Sequence, residues 1–154
     1  MNQAIQDFYP EDFAWCFGCG RLNAAGHQFK TRPHGSGTLT EFSPEPEHTA
    51  LPGFVYGGLI ASLIDCHSTG SAAIFALASE GLEVGAGIAP RFVTAHLEVD
   101  YLRPTPLDPL EVTGRMVEIG ERKVIVHSEL VAGLEVTAEG HAVLVKVPAG
   151  FTAS

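Results

Sequence analysis

Positive charge is scarce in this chain. Its 154 residues include only nine lysines and arginines against eighteen aspartates and glutamates, which gives a formal net charge of −9. A surface this acidic repels the phosphates of nucleic acids, so the composition argues against nucleic-acid binding as the main activity. An anionic ligand would need a local group of basic side chains, so the positions of the nine are informative.

Cysteines and uninterrupted apolar stretches are also few. Three cysteines are an odd number, and they suit a reducing compartment better than a disulfide framework. The first fifteen residues lack the basic and apolar regions of a signal peptide. The longest apolar stretch is interrupted by Asp65, Cys66 and His67, and it is rich in Ser, Thr and Gly, unlike a membrane span. We therefore expect a soluble, cytoplasmic protein with no membrane partner.

The hydrophobic pattern predicts one α+β domain over residues 1–154, with an irregular leader at 1–26 and a core at 27–147. The core begins with two short strands within 27–42 and continues with one long helix at 57–78. Gly81 is a natural stop for that helix.

Four more strands are predicted after the helix, and short turns between them indicate an antiparallel meander. Their ranges are 91–104, 110–120, 123–132 and 135–147. The helix would cover the apolar face of the sheet, while the edges of the sheet favour pairing with a second copy of the chain. In the first of these strands, period-two alternation places Thr94 and His96 on the same face.

A single carboxylate, Asp65, lies in the middle of the apolar helix. Aspartate is a poor helix-interior residue. Ser68 and Thr69 follow it at i+3 and i+4, so their hydroxyl groups share its face and could donate to it. These residues alone are equally compatible with a buried structural carboxylate and a functional one.

Two glycines, Gly57 and Gly58, open the same helix. The first N–H groups of a helix have no internal partner and carry the positive end of the helix dipole, so they can stabilise an oxyanion. Asp65 lies roughly 10–12 Å further along the axis, too far to act on the same carbon atom within one chain. A dimer could bring the helix start of one subunit to the acid of the other.

The stretch Tyr56–Asp65, with its two glycines before the acid, and the strand end "VDYLRP" at Val99–Pro104 resemble the hotdog-fold thioesterases. The chain is most similar to the PaaI-like acyl-CoA thioesterases, over about residues 45–147. The resemblance implies an antiparallel sheet wrapped around one central helix, in dimers or tetramers with active sites between subunits. It also implies a coenzyme A or acyl-carrier thioester as the substrate, with no cofactor.

The resemblance also assigns roles to catalytic residues. Asp65 would be the general base or the nucleophile. Gly57, with Gly58 beside it, would supply the amide that polarises the carbonyl, and Thr94 would contribute its hydroxyl from the partner's strand.

Two positions depart from the family pattern, since Tyr56 replaces the usual His and Ala50 the usual Asn. These departures keep a non-catalytic acyl-CoA-binding protein open as an alternative. A hotdog hydratase or dehydratase, which would pair a catalytic His with an acid, is a further alternative. His67 could take a polar role, but its side chain starts from the opposite side of the helix from Asp65.

Eight residues are expected to bind substrate. The basic ones could hold the phosphates of coenzyme A, although Arg103 could instead pair with Asp100 or Asp108. The full set is Tyr56, His48, Ser68, Thr69, Arg91, Arg103, Arg122 and Lys123.

The "CFGC" segment at Cys16–Cys19 has the spacing of half a zinc knuckle. His27, His34 and Cys66 are candidates for the remaining ligands, but none of them forms a second compact pair. We therefore expect no metal site.

Overall fold

The computed structural model describes residues 2–151. The outermost residues of the predicted domain, Met1 and 152–154, lie outside this range. The predicted leader contains two short 3-10 helices, Ile5–Phe8 and Glu11–Phe13.

One long helix packs against a six-stranded antiparallel sheet, which confirms the predicted α+β class. The elements are β1 (Thr31–His34), β2 (Gly37–Phe42), α1 (Gly57–Ser79), β3 (Phe92–Tyr101), β4 (Leu110–Ile119), β5 (Lys123–Ala132) and β6 (Glu135–Lys146). The predicted order is confirmed, although β1 starts at Thr31 and not near His27. The turn between β1 and β2 includes Gly35 at a φ of 58°, a backbone conformation that glycine adopts easily.

The strands lie in the order β1-β2-β4-β5-β6-β3, and every neighbouring pair is antiparallel. Strands β4, β5 and β6 form the predicted meander. The prediction is wrong for β3, which pairs with β6 and forms an edge of the sheet. Three prolines, Pro104, Pro106 and Pro109, occupy the connection from β3 to β4. Proline restricts the backbone and donates no hydrogen bond, so this segment does not form a tight hairpin.

Helix α1 lies across the sheet and contacts all six strands. By length and hydropathy alone it could cross a membrane, but 78% of its most apolar window is buried inside the fold. Its fully buried residues include Leu59, Leu63 and Ile64. The apolar character of the helix therefore supplies the core of the domain.

Two sheet glycines allow the helix to approach closely. A Cβ atom at Gly140 would overlap Ile64, and one at Gly114 would lie 2.6 Å from His67 Nε2. Any larger residue at these positions would push α1 away from the sheet.

Candidate active site

Asp65 lies on the side of α1 that faces β3, and it is only partly buried. Thr94 Oγ1 of the same chain donates a hydrogen bond to Asp65 Oδ1. The resemblance had implied that this hydroxyl acts from the partner's strand, whereas here the two residues meet within one chain. Among residues 2–151, no other hydrogen bond reaches the carboxyl group, so Oδ2 has no protein partner there.

A β-bulge in β3 directs Thr94 towards the helix. The register with β6 shifts between Thr94 and His96. Phe92 before the shift is 2% exposed, and Leu97 after it packs against the core. The predicted shared face of Thr94 and His96 is therefore wrong: the His96 side chain is 54% exposed and pairs with Glu98. A bulge re-aims side chains in this way because it adds one residue to a strand.

The surroundings of Asp65 raise the pKa of its carboxyl group above the ordinary value of 3.8. Burial is the main cause, since it disfavours the charged form. The hydrogen bond from Thr94 acts in the opposite direction, the nearby Cys16 sulfur raises the pKa further, and the more distant charge of Arg91 lowers it. The result is a carboxylate that accepts a proton more readily than an exposed aspartate does.

The predicted hydroxyl partners of Asp65 bond elsewhere. Ser68 Oγ donates to the carbonyl of Ile64 at 2.7 Å, and Thr69 Oγ1 donates to the carbonyl of Cys66 at 3.0 Å. Both side chains are buried against their own helix. The expectation that they donate to Asp65 is therefore wrong, because each hydroxyl bonds a carbonyl of its own helix. Their contact with substrate stays a prediction.

The start of α1 is arranged around its two glycines. The first helical hydrogen bonds run from Leu59 and the next residue to the carbonyl of Tyr56, so the amides of Gly57 and Gly58 precede them. Tyr101 Oη donates to the carbonyl of Gly57 at 2.8 Å, and a Cβ atom at Gly57 would lie 3.4 Å from the tyrosine ring.

Sequence reasoning used Tyr101 only as part of "YLRP" and missed its role in positioning the helix start. Tyr56 is the N-cap residue, and its ring packs so closely over Gly58 that a Cβ atom there would lie 2.9 Å away.

The histidines near these elements are held by local contacts. His48 Nδ1 accepts the backbone N–H of Glu45 at 2.9 Å, and its ring lies beside those of His27 and Phe42. His67 is fully buried on the other side of α1 from Asp65, among hydroxyl groups of β2 and its own helix. Neither histidine approaches the carboxyl group of Asp65 by a hydrogen bond.

Three of the four predicted phosphate-binding residues bond within the fold. Arg91 donates to the carbonyl of Phe92 and stacks over Tyr9 at 4.7 Å. Arg103 pairs with Glu135 at 3.2 Å, which corrects the expected pairing with Asp100 or Asp108. Lys123 Nζ lies 3.7 Å from Glu118, an exposed pair that ordinarily contributes little to stability.

The fourth, Arg122, borders an open groove of about 540 Å³ beside β3. Val93, Lys146 and Phe151 also line this groove, and Arg122 forms no ion pair with any residue of the described range. Val93 precedes Thr94 on β3, so the groove borders the strand whose Thr94 bonds Asp65, although successive residues of a strand project to opposite faces. Lys146 was missed at the sequence level, because nothing in its local pattern separates it from an ordinary strand end.

Among residues 2–151, two groups of side chains could hold a metal ion. One contains Cys16, Cys19 and Cys66, and the other contains His127, Glu129 and Glu139. Neither group includes Asp65.

Known proteins share both the sequence pattern and the fold. Residues 52–139 match the family model described as the thioesterase superfamily. The acyl-coenzyme A thioesterase THEM4 of Xenopus laevis is 33% identical over 90 residues, which are 58% of this chain and 35% of that protein. The chain therefore spans about a third of the length of this relative.

Solved structures agree. A thioesterase superfamily protein from Shewanella loihica PV-4 is 48% identical, with 82% of this chain and 99% of that chain covered and a TM-score of 0.65. The E. coli PaaI protein of the phenylacetic acid degradation operon shares the fold at 15% identity, with 79% and 81% covered and a TM-score of 0.62. Since the family model matches more than half of its length and the helix-on-sheet architecture agrees, this chain belongs to the thioesterase superfamily and has the hotdog fold.

Proposed function

We propose that this protein hydrolyses acyl-CoA thioesters and that Asp65 is its catalytic carboxylate. The observation that carries the proposal is the state of this side chain. One oxygen is fixed by Thr94, the other has no partner among residues 2–151, and burial raises the pKa of the group. Membership in the superfamily supports thioester hydrolysis, and the name of the Xenopus relative supports acyl-CoA as the substrate class.

The reaction needs both a base and an oxyanion site. Water attacks the carbonyl carbon while Asp65 takes its proton, and the amides of Gly57 and Gly58 stabilise the negative oxygen. The carbon–sulfur bond then breaks, and the departing sulfur receives the proton from Asp65. If Asp65 attacks directly, water hydrolyses the resulting anhydride. Both routes begin with the ionised carboxylate and use no cofactor.

The active site in this proposal contains residues of two chains. Gly57 and Asp65 are eight residues apart on one helix, about 12 Å along the axis, so they cannot reach the same carbon within one subunit. Strand β3 is a sheet edge and exposes apolar side chains, with Val93 49% and Tyr101 53% exposed. An exposed apolar edge favours pairing with a second copy, which would bring its glycines to this Asp65.

The groove beside β3 is the proposed site for coenzyme A. Arg122 and Lys146 could bind its phosphates, and the exposed ring of Phe151 could stack on its adenine. The groove thus brings two cations together in a chain that otherwise carries a large negative charge. The location, as argued from composition, is the cytoplasm, and neither nucleic acid nor a membrane takes part.

The test is a panel of acyl-CoA thioesters assayed with the wild type, Asp65→Asn and Asp100→Asn. Asp100 is an exposed carboxylate on the same strand as Thr94 and serves as the matched control. We expect Asp65→Asn to lower kcat/KM by about 10²- to 10⁴-fold, the usual contribution of acid–base catalysis, while Asp100→Asn retains activity.

Two results would contradict the proposal. Binding of acyl-CoA without turnover by the wild type would support the non-catalytic alternative. That alternative is suggested by Tyr56 and Ala50, which depart from the family pattern. Interconversion of enoyl and hydroxyacyl thioesters without hydrolysis would support a hydratase.

A further inference from the structure

All three cysteines of the chain meet at one point, although the leader supplies two and the helix supplies the third. Cys16 and Cys19 lie in the turn before β1, and Cys66 lies on α1. Their Sγ atoms are all within 4.8 Å of one another, and Cys16 Sγ is 3.9 Å from Cys66 Sγ. The sequence alone showed only the first pair as a unit.

The spacing of the sulfur atoms is compatible with a shared ion. In a tetrahedral zinc site with Zn–S bonds of about 2.3 Å, neighbouring sulfurs are roughly 3.8 Å apart. A disulfide would require about 2.05 Å. The measured 3.9 Å between Cys16 and Cys66 is therefore close to the edge of a zinc-centred tetrahedron.

The local backbone holds the leader close to the helix. The N–H of Gly20 bonds the carbonyl of Cys16 at 2.7 Å. Gly18 presses against the helix, since a Cβ atom there would overlap Cys66 Sγ.

One nearby cation suits a metal–thiolate centre. Arg91 stacks over the buried ring of Tyr9 at 4.7 Å and acts on Cys19 by its charge. Three thiolates with Zn²⁺ carry a net charge of −1, which one nearby arginine can balance.

We propose that Cys16, Cys19 and Cys66 bind one zinc ion as thiolates, with a water molecule in the fourth position. The open side is at Cys16, which is only partly buried, whereas Cys19 and Cys66 are buried. No fourth Cys, His, Asp or Glu of residues 2–151 joins the group. The ion fastens the leader to the middle of α1, so its binding stabilises the folded chain.

The experiment uses the full-length, tag-free chain, reduced and freed of metal. Titration with Co²⁺ should give thiolate-to-metal charge-transfer absorption that saturates at one equivalent per chain, and Zn²⁺ should displace it. Zinc should also raise the thermal midpoint of unfolding, because the ion binds only the folded site.

Three variants sharpen the result. Cys66→Ser should abolish the charge-transfer absorption and the thermal shift. Gly18→Ala keeps all three thiols but crowds Cys66, and it should weaken zinc binding by at least about tenfold, in the range seen when groups around a metal site are changed. His127→Ala disrupts the other candidate cluster of residues 2–151 and should leave the stoichiometry unchanged.

Cys16→Ser, at the partly exposed ligand, replaces Cys66→Ser if the buried change prevents folding. A reduced chain that shows no thiolate-to-cobalt absorption overturns the proposal. So does a chain whose cysteines pair as a disulfide and that, once reduced, still takes up no metal, which would make the cluster a redox pair.

Discussion

Asp65 and His67 are two residues apart on the same apolar helix, but they lie in opposite environments. His67 is fully buried: Nδ1 shares a hydrogen bond with Thr40 at 2.7 Å, and Nε2 lies 3.3 Å from the hydroxyls of Thr38 and Ser71. Burial lowers the pKa of His67 to about 3, so the ring is neutral. Asp65 is partly buried, has one partner in Thr94, and has a raised pKa.

The difference separates a structural polar group from one available for chemistry. Both ring nitrogens of His67 have hydrogen-bond partners inside the domain, so neither is free to bind a ligand. The network instead holds α1 against β2. Asp65 keeps one oxygen without a partner in the described part of the chain and faces an edge of the sheet. The free oxygen and the raised pKa of Asp65 therefore distinguish it from His67.

The largest expected difference between His67 and Asp65 is in their contribution to stability. His67→Ala should lower the free energy of unfolding by about 2–4 kcal/mol, since it leaves a cavity and strands buried hydroxyls. Asp65→Asn should change it by less than about 1 kcal/mol, because an amide oxygen can still accept from Thr94. Urea unfolding measures both values.

His96→Ala, at an exposed histidine, is the control and should stay within about 0.5 kcal/mol of wild type. Equal losses for His67→Ala and Asp65→Asn would show that both groups are structural.

A smaller effect is expected at Thr94. Thr94→Val keeps the shape of the side chain but removes the hydrogen bond to Asp65, and kcat/KM should fall by about tenfold. That bond lowers the pKa of Asp65, so its loss raises this pKa further. The carboxylate is then protonated at higher pH, and the acid limb of the pH–rate profile should move to higher pH.

Thr94→Ser retains the hydroxyl, so the acid limb of its pH–rate profile should lie at the same pH as in the wild type. A Thr94→Val profile that keeps its wild-type shape at a lower rate would mean that Thr94 does not act through the carboxyl group.

The sequence made α1 and the two short strands predictable, because helical apolar periodicity and turn glycines are local signals. The spacing between the two glycines, Gly57 and Gly58, and the acid singled out Asp65. It could not reveal the bulge at Thr94, since alternation in β3 continues through the position where the register changes. Nor could it show that Cys66 meets Cys16, because that contact depends on how a leader without periodicity folds back on the helix.

The same limit applies to the sheet order. Pairing β3 with β6 depends on long-range topology, whereas turn length informs only about strands joined directly. The ion pair of Arg103 shows the same limit. Its partner, Glu135, begins the neighbouring strand β6 but lies far from Arg103 in the sequence. Local patterns thus predicted the elements, and the contacts between distant segments decided which polar residues remained free.

The smallest expected effect is a pH dependence of stability caused by the protonation of His67 in the unfolded chain. Its pKa is 6.5 when unfolded and about 3 when folded. As the pH falls below 6.5, the unfolded chain binds a proton that the folded chain does not, so folding is progressively disfavoured.

Between about pH 7 and about pH 5.5, His67 should remove roughly 1 kcal/mol of the free energy of unfolding. We expect His67→Gln to be less stable than the wild type at every pH. Over this interval, however, its free energy of unfolding should fall by about 1 kcal/mol less than that of the wild type. Urea unfolding of both proteins at the two pH values measures the difference. Parallel curves for wild type and His67→Gln would mean that His67 also binds a proton in the folded state, and the enclosed network among Thr38, Thr40 and Ser71 would have to open to solvent.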